Sequence, residues 1–142
     1  MMERPRVLFV CTGNAVRSQM AEGWLKSLAG NSVEVLSGGT QPWQVHPFAI
    51  KVMAEAGIDI SGQRAKHVSI FADKPLDFVI TLCDGARDEC PLFSGAKRLL
   101  HWPVHDPSFD GTVADERLAA FRTARDEIRN RINGWLAEDP FE

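Results

Sequence analysis

The chain has 142 residues, of which 44% are hydrophobic and 25% are charged, and its net charge is −3. This composition is typical of a globular protein, and no apolar stretch approaches the roughly 20 residues that a membrane-spanning helix needs. The acidic balance argues against nucleic-acid binding, because proteins of that class usually carry a basic surface. We therefore expect one domain over residues 1–142, with no membrane and no nucleic acid among its partners.

Apolar periodicity predicts strands and helices that alternate along the chain. In chain order these are a strand at 7–10, a helix at 18–28, a strand at 33–36, a helix at 47–56, strands at 78–82 and 98–102, and a long last helix with its N-cap at Thr112. Apolar strands that alternate with helices indicate an α/β fold in three αβα layers, with a central four-stranded parallel sheet. Ligands of such sheets bind beyond the carboxyl ends of the strands.

Two of the predicted helices have faces that are expected to pack against this sheet. The last helix also carries several arginines interleaved with acidic residues, and we expect a solvated, ion-paired face there rather than a nucleic-acid contact. The apolar face of the first helix comprises Met20, Ala21, Trp24, Leu25 and Leu28, and that of the last comprises Leu118, Phe121, Ile128, Ile132, Trp135 and Leu136.

The segment that follows the first strand carries the strongest chemical signal. Residues 11–18 read CTGNAVRS, so Cys11 enters a small loop that ends where a helix begins. Successive backbone N–H groups and the helix N-terminus favour a bound oxyanion, with Arg17 as a bidentate clamp. The same field favours the thiolate of Cys11, to which Ser18 can donate. The expected oxyanion-binding residues are Thr12, Gly13, Asn14, Ala15, Val16, Arg17 and Ser18.

A cysteine buried as an ordinary core residue is the structural alternative for Cys11. The context of a preceding strand, a following helix, and Gly13 and Asn14 able to adopt positive φ favours a nucleophile beside an anion cradle.

Asp106 is the candidate general acid. It follows the fourth predicted strand and should therefore lie at the same edge of the sheet as Cys11. Pro107 restricts Asp106 to an extended backbone that can direct the carboxyl group toward the loop. The alternative is a turn aspartate before proline, a common arrangement. With the Cys11 loop nearby, we favour an acid that protonates a departing oxygen.

Cys83 ends the third predicted strand, and Cys90 follows seven residues later. If the intervening segment were helical, the two Cα atoms would lie about 10.5 Å apart, whereas a disulfide needs about 7 Å or less. The pair could therefore bond only if the segment unwinds. Three cysteines cannot all pair at once, and a charged N-terminus that leads directly into the first strand is unlike a signal peptide. These features predict a cytoplasmic protein with thiols that cycle.

The histidines leave a metal site open as an alternative. Cys83, Cys90, His101 and His105 could form a zinc site if His-x3-His lay on a helix. Residues 101–105 read as strand and turn, so we expect no metal. His46 and His67 lie beside turn signals and are expected to be surface or hydrogen-bonded histidines rather than catalytic ones.

Several motifs together carry a family resemblance. Residues 11–14 and 17–24, GIDIS at 57–61, VITLC at 79–83, Cys90-Pro91, His101-Trp102 and Asp106-Pro107 resemble the thioredoxin-coupled arsenate reductases from about residue 7 to residue 135. The resemblance implies the fold of the low-molecular-weight protein tyrosine phosphatases, which share the loop and the Asp-Pro acid. Cys83 and Cys90 favour the reductase branch. The absence of tyrosine agrees, since the phosphatases often carry a tyrosine pair after Asp-Pro.

The resemblance implies a mechanism and partners. The Cys11 thiolate attacks arsenate, Cys83 attacks the sulfur of Cys11 as arsenite leaves, and Cys90 moves the disulfide to the redox pair Cys83 and Cys90, which thioredoxin reduces. Phosphate and sulfate would compete as oxyanions. We expect no cofactor and a monomer.

The chain departs from the family pattern in two respects. Ala15 and Val16 stand where the reductases commonly have Ser-Cys, and the three thiols named above remain. Relatives that bind potassium near the loop use positions corresponding to Asn14, Glu22, Ser37 and an acidic residue that here is Lys66. An ammonium group can replace a cation by pairing with Glu22, so we expect no potassium site.

Two other functions fit part of the pattern. A phosphomonoesterase would form a phosphocysteine at Cys11, which water hydrolyses with Asp106 as acid and then base. A non-enzymatic sensor would bind arsenite or a soft metal through the three thiols.

Overall fold

The computed structural model describes residues 4–84 and 96–142. Its strands are β1 (Arg6–Cys11), β2 (Glu34–Gly39), β3 (Leu76–Thr81) and β4 (Ala96–His101), and its α-helices are α1 (Arg17–Ala29), α2 (Pro47–Glu55) and α3 (Ala114–Leu136). Short 3-10 helices occupy Gly30–Ser32, Val68–Phe71 and Pro107–Phe109. The predicted order of elements is confirmed, and the observed ends differ from the predicted ones by a few residues.

The four strands form one parallel sheet in the order β2-β1-β3-β4. The central strand β1 is apolar after Arg6, and Val7, Leu8, Phe9 and Val10 are all fully buried. Side chains of successive strand residues point to opposite faces, so complete burial means that both faces of the sheet are covered. The predicted α/β fold around a four-stranded parallel sheet is confirmed.

The larger core cluster lies between the sheet and the three α-helices. It joins Phe9 of β1 and Phe78 of β3 to Met20 of α1, Val52 of α2 and Phe121 of α3. A smaller cluster on the opposite face packs Leu8 and Val79, with other strand residues, against Phe71. Every predicted face residue of α1 and α3 is buried or packed on the core except Leu28, which is 40% exposed at the last turn of α1.

The α3 N-terminus differs from the prediction. Val113 is the N-cap and makes no side-chain capping bond, so the prediction of Thr112 as the N-cap was wrong. Instead, Oε1 of Glu116 accepts hydrogen bonds from the Thr112 backbone N–H at 2.7 Å and from its hydroxyl at 3.0 Å. A carboxylate in the first turn thus satisfies donors outside the helix, as in the reciprocal half of a capping box.

Helix α2 is tied to α3 by charged side chains. Glu55 accepts two hydrogen bonds from Arg122, both 2.8 Å long, and a third from Arg125 at 3.2 Å. The arginines of α3 therefore pair with the neighbouring helix as well as within α3. This contact links α2 to α3, and the N-terminus of α2 borders the site described below.

Candidate active site

The loop between β1 and α1 joins Cys11, the last residue of β1, to Arg17, the first residue of α1. Cys11 is a free thiol and is 2% exposed. Its sulfur lies 2.8 Å from the hydroxyl oxygen of Ser18. Cys11 thus lies at the N-terminus of α1, beside a hydroxyl group that can donate to its sulfur.

The carbonyl groups of the loop all have partners on its outer side. Three bond to backbone N–H groups of the segment after β2, and the carbonyl of Asn14 accepts from Nε2 of Gln19 at 3.0 Å. Because the C=O and N–H of one planar peptide point in opposite directions, the N–H groups of residues 13–16 are turned toward the inner side of the loop. The outer backbone bonds are Gln41 to Thr12 (2.9 Å), Trp43 to Gly13 (3.0 Å) and His46 to Ala15 (2.9 Å).

Asn14 organises the loop from within. It is fully buried with φ at 47°, so of the two residues able to adopt positive φ, Asn14 does so and Gly13 does not. The Asn14 side chain donates to Oγ of Ser18 at 2.7 Å and accepts from the backbone N–H of Lys66 at 2.9 Å. Since Ser18 already accepts from Asn14, its own hydrogen is available to the sulfur of Cys11.

Arg17 is 3% exposed, and its guanidinium is held beyond the ends of β3 and β4. One terminal nitrogen donates to the carbonyl of Val104 at 3.1 Å and to that of Leu82 at 3.4 Å. The other lies 3.5 Å from a carboxylate oxygen of Asp106. The predicted acid and the predicted anion clamp are thus neighbours.

Asp106 caps the 3-10 helix Pro107–Phe109. Its Oδ1 accepts from the backbone N–H of Ser108 at 3.0 Å and from the Ser108 hydroxyl at 2.6 Å, while Oδ2 faces Arg17. The turn aspartate and the acid beside the loop, which were alternatives in the sequence, are therefore compatible: one oxygen caps and the other faces the pocket.

A cavity of about 540 Å³ opens in front of Cys11. Two exposed aromatic side chains lie at its rim, Trp43 (72% exposed) and Phe109 (73% exposed). The cavity is lined by Cys11, Thr12, Gly13, Ala15, Val16, Arg17, Gln41, Trp43, His46, Asp84, His105, Asp106, Ser108, Phe109 and Asp110.

Cys83 follows β3 at the same edge of the sheet. Val10 pairs with Thr81, and the N–H of Leu82 donates to the carbonyl of Val10 at 2.8 Å, so Cys11 and Cys83 follow neighbouring parallel strands. Neighbouring strands of a sheet lie about 4.8 Å apart, so this register places Cys11 and Cys83 at adjacent strand ends. Cys83 is buried and disulfide-bonded. Cys90 lies outside the described residues.

Behind the loop, Glu22 is buried and surrounded by donors. Its carboxylate accepts from Oγ of Ser37 at 2.5 Å, pairs with the ammonium of Lys26, and lies 3.9 Å from the ammonium of Lys66. The predicted pairing of Lys66 with Glu22 is confirmed. Burial lowers the pKa of Lys66, and Glu22 opposes that shift. That this ammonium takes the place of a potassium ion stays a prediction.

The histidines do not converge on a metal site. His101 Nδ1 lies 2.6 Å from the Thr81 hydroxyl, and His105 Nε2 lies 2.8 Å from both carboxylate oxygens of Asp110. Among residues 4–84 and 96–142, no three His, Cys, Asp or Glu side chains are grouped so that they could hold a metal ion. His67 Nδ1 accepts from the backbone N–H of Ser69, as expected for a hydrogen-bonded histidine. His46, in contrast, lines the cavity.

His46 and His105 are expected to titrate on opposite sides of pH 6.5. Burial lowers the pKa of His46, opposed by Asp106, whereas the hydrogen bond to Asp110 raises the pKa of His105. At pH 6.5, His46 should therefore be mostly neutral and His105 mostly protonated. Imidazole ¹⁵N chemical shifts recorded against pH test this. Asp110→Asn should move the pKa of His105 down toward 6.5, and an unchanged midpoint in that variant would contradict the assignment.

Gly39 is a site residue that sequence reasoning missed. It ends β2 against the loop, and a Cβ atom added there would lie 2.9 Å from both Asn14 N and Cys11 O, and closer still to Thr12 O. All three are backbone atoms and cannot rotate away. The available signal was the pair Gly38-Gly39 at the end of a strand, where a missing side chain often marks the close approach of another backbone.

Gly39→Ala is therefore expected to displace the loop. A shift of about 1 Å in such a site costs on the order of 100-fold in rate, so we expect kcat/KM for the oxyanion substrate to fall roughly 10- to 100-fold. Overpacking should also lower the free energy of unfolding by about 1–3 kcal/mol. Gly62→Ala is the matched control, since open space surrounds that position. Steady-state kinetics and thermal melts measure both effects, and wild-type kinetics in Gly39→Ala would refute the close approach.

Comparison with known proteins agrees with this geometry. Residues 6–139 match the low molecular weight phosphotyrosine protein phosphatase family. An arsenate reductase of Halalkalibacterium halodurans is 42% identical over 131 residues, which are 92% of this chain and 94% of that protein. A solved arsenate reductase in its phosphate-binding state has a TM-score of 0.80 at 37% identity, covering 94% of this chain and 98% of that chain.

A thioredoxin-dependent arsenate reductase of Corynebacterium glutamicum is also similar, with a TM-score of 0.72 at 32% identity. The match covers 95% of this chain and 61% of that longer chain. The family match and the alignments to these reductases each cover almost the whole sequence. The chain thus belongs to the low molecular weight phosphotyrosine protein phosphatase family and, within it, to the arsenate reductases.

Proposed function

We propose that this protein reduces arsenate to arsenite through Cys11, Cys83 and Cys90 and is returned to its starting state by thioredoxin or a thioredoxin-like protein. The observation that carries the proposal is the loop itself, whose carbonyls are all engaged on the outer side while a free, buried thiol lies on the inner side. Membership among the arsenate reductases supplies the substrate.

In the first step the Cys11 thiolate attacks arsenic. Three arsenate oxygens are bound by the N–H groups of the loop and by the Arg17 guanidinium, as expected for a charged oxyanion among preorganised donors. Asp106, in its protonated form, gives its proton to the fourth oxygen, the hydroxyl group of hydrogen arsenate, which leaves as water. A bond from the Cys11 sulfur to arsenic(V) forms, and one arsenic–oxygen bond breaks.

In the second step the Cys83 thiolate attacks the sulfur of Cys11. The sulfur–sulfur bond forms as the sulfur–arsenic bond breaks, and its electron pair stays on arsenic, which leaves as arsenite. Two thiols have then been oxidised and arsenic has been reduced by two electrons. The parallel register that brings residues 11 and 83 to adjacent strand ends supports this attack.

In the third step Cys90 attacks Cys83 and releases the Cys11 thiolate, so that the disulfide joins Cys83 and Cys90. An external dithiol then reduces that disulfide by the same exchange chemistry. A solved relative that is itself thioredoxin-dependent supports thioredoxin as the reductant.

The cellular setting follows from this chemistry and is part of the proposal. A cycle that ends on a dithiol reductant needs a reducing compartment, so we place the protein in the cytoplasm. We also expect a monomer. Phosphate and sulfate should compete for the loop. None of the helices in residues 4–84 and 96–142 has the length and apolarity needed to span a bilayer.

The direct test is NADPH consumption with thioredoxin and thioredoxin reductase, with arsenate added or withheld. We expect arsenate-dependent consumption with one arsenite formed for each NADPH oxidised. The matched control is Cys11→Ser, which should reduce the rate to background. Consumption that does not depend on arsenate, or arsenite formation that persists without Cys11, would refute the proposed function.

A further inference from the structure

His46 connects the oxyanion loop to α2. Its backbone N–H donates to the carbonyl of Ala15 at 2.9 Å, and its Nδ1 accepts from the backbone N–H of Phe48 at 3.0 Å. The ring also packs against the rings of Phe48 and Phe121, with centroid distances of 5.3 and 4.8 Å. These contacts fix the orientation of the imidazole.

The tautomer of His46 follows from these contacts. Because Nδ1 accepts a hydrogen bond, the proton of the neutral ring is on Nε2. Burial lowers the pKa of His46, Arg117 adds to that shift and Asp106 opposes it, so the ring is neutral at pH 7. Within residues 4–84 and 96–142, the imidazole makes its one side-chain hydrogen bond through Nδ1. The Nε2–H donor is therefore available to a ligand in the cavity.

The cavity that His46 lines is the one that contains Cys11, Arg17 and Asp106. Loop N–H groups and Arg17 surround three oxygens of a tetrahedral anion, whereas the fourth, outward oxygen faces Asp106 and can accept a second hydrogen bond from the cavity wall. We propose that Nε2–H of His46 is such a donor and that His46 is a substrate-binding residue for oxyanions in this site. The inference rests on the proposed function, because it adds a contact to the same bound substrate.

A purely structural role for His46, as the N-cap of α2, is the competing explanation. The two roles separate in His46→Asn, because asparagine is among the best N-cap residues and keeps an acceptor for the Phe48 N–H but lacks the Nε2 donor. His46→Ala removes both the cap and the donor. In both variants the backbone bond to Ala15 is kept.

The probe is inorganic phosphate, measured by calorimetry on the fully reduced protein. We expect His46→Asn to raise the phosphate dissociation constant about 10-fold, as for loss of one hydrogen bond to a charged group, with a melting temperature close to that of the wild type. His46→Ala should show the same weaker binding together with a lower melting temperature. A phosphate dissociation constant within twofold of wild type in folded His46→Asn would overturn the proposal.

Two further measurements distinguish a lost donor from a distorted loop. The rate of Cys11 alkylation by iodoacetamide, followed on the Cys11 peptide by mass spectrometry without phosphate, should be the same in His46→Asn and wild type. In wild-type protein, phosphate should shift the Nε2 resonance of His46. Slowed alkylation in the variant, or a His46 resonance that phosphate leaves unchanged, would count against the contact.

Phosphate binding does not depend on electron transfer, so the two proposals can fail separately. Weaker phosphate binding in His46→Asn without any arsenate reduction by the wild type would refute the proposed function and leave the contact standing. Arsenate reduction by the wild type with unchanged phosphate binding in His46→Asn would refute the His46 contact and leave the proposed function standing.

Discussion

Cys83→Ser is expected to lower multiple-turnover arsenate reduction with thioredoxin at least about 1,000-fold, while phosphate binding by the loop remains near wild type. Serine is close to cysteine in size but cannot form the disulfide whose formation supplies the two electrons that reduce arsenic. The first step can still occur, because Cys11, Arg17 and Asp106 are intact, so the protein should accumulate the Cys11 adduct. Arsenite formation is followed in the coupled NADPH assay and by direct speciation of arsenic.

Cys90→Ser is the matched control for this variant. It retains Cys83, so it should form at most one arsenite for each protein molecule and then stop with Cys11 and Cys83 joined. Mass spectrometry after proteolysis identifies that linkage. Normal multiple turnover in either variant, with thioredoxin as sole reductant, would exclude the relay.

Cys83→Ser also tests the phosphatase alternative. Hydrolysis of para-nitrophenyl phosphate needs Cys11 and Asp106 but no second thiol, so a true phosphatase should be insensitive to Cys83→Ser. We expect at most weak hydrolysis in both proteins, since phosphate and arsenate have similar shapes. Efficient hydrolysis without arsenate turnover would instead favour a phosphomonoesterase.

The parts of the site that the sequence predicted are those encoded by local spacing or by chain order. Cys11 and Arg17 are the two ends of one loop, so their proximity is set within seven residues. Asp106 was inferred because parallel strands place the residues that follow them at a common edge, and the sheet is parallel throughout. The first inference needed only local spacing, and the second needed only the order of elements.

The contacts that the sequence did not reveal join segments that are distant along the chain. Gly39 matters because its Cα approaches the backbone of Thr12, and His46 matters because α2 is positioned against the same loop. No local pattern encodes such an approach. Leu28 shows the converse limit: it continues the apolar spacing of α1, yet it is 40% exposed even though the next residue, Ala29, packs against the core.

The outer bonds of the loop explain why it can be ready for an anion before one binds. In solution, a run of N–H groups aligned toward one point would turn away, because their dipoles repel one another. Here the carbonyls of Thr12, Gly13 and Ala15 are held by the 41–46 segment, and that of Asn14 by Gln19. The cost of orientation is met during folding, which is how preorganised donors stabilise charge during a reaction.

Arg17→Lys is expected to lower kcat/KM for arsenate about 100- to 1,000-fold, the usual effect of removing one preorganised oxyanion donor. The guanidinium of Arg17 reaches two carbonyls and the Asp106 carboxylate at once, while its planar fork can clamp an anion. An ammonium group keeps the charge but has neither the reach nor the paired donors. Much of the loss should appear in kcat, because the developing charge is greatest in the transition state.

The control for charge alone is Arg131→Lys on the exposed surface of α3, which should leave kinetics unchanged.

Phosphate binding separates two explanations for a lower kcat/KM in Arg17→Lys. If the clamp acts on the bound anion, the phosphate dissociation constant should rise together with the loss in kcat/KM. If Arg17 only braced Asp106 and the strand ends, phosphate binding would be near wild type and the free energy of unfolding would fall instead. Full activity in Arg17→Lys would contradict the clamp. It would show that the loop N–H groups together with a single positive charge bind and stabilise the anion as well as a bidentate guanidinium does.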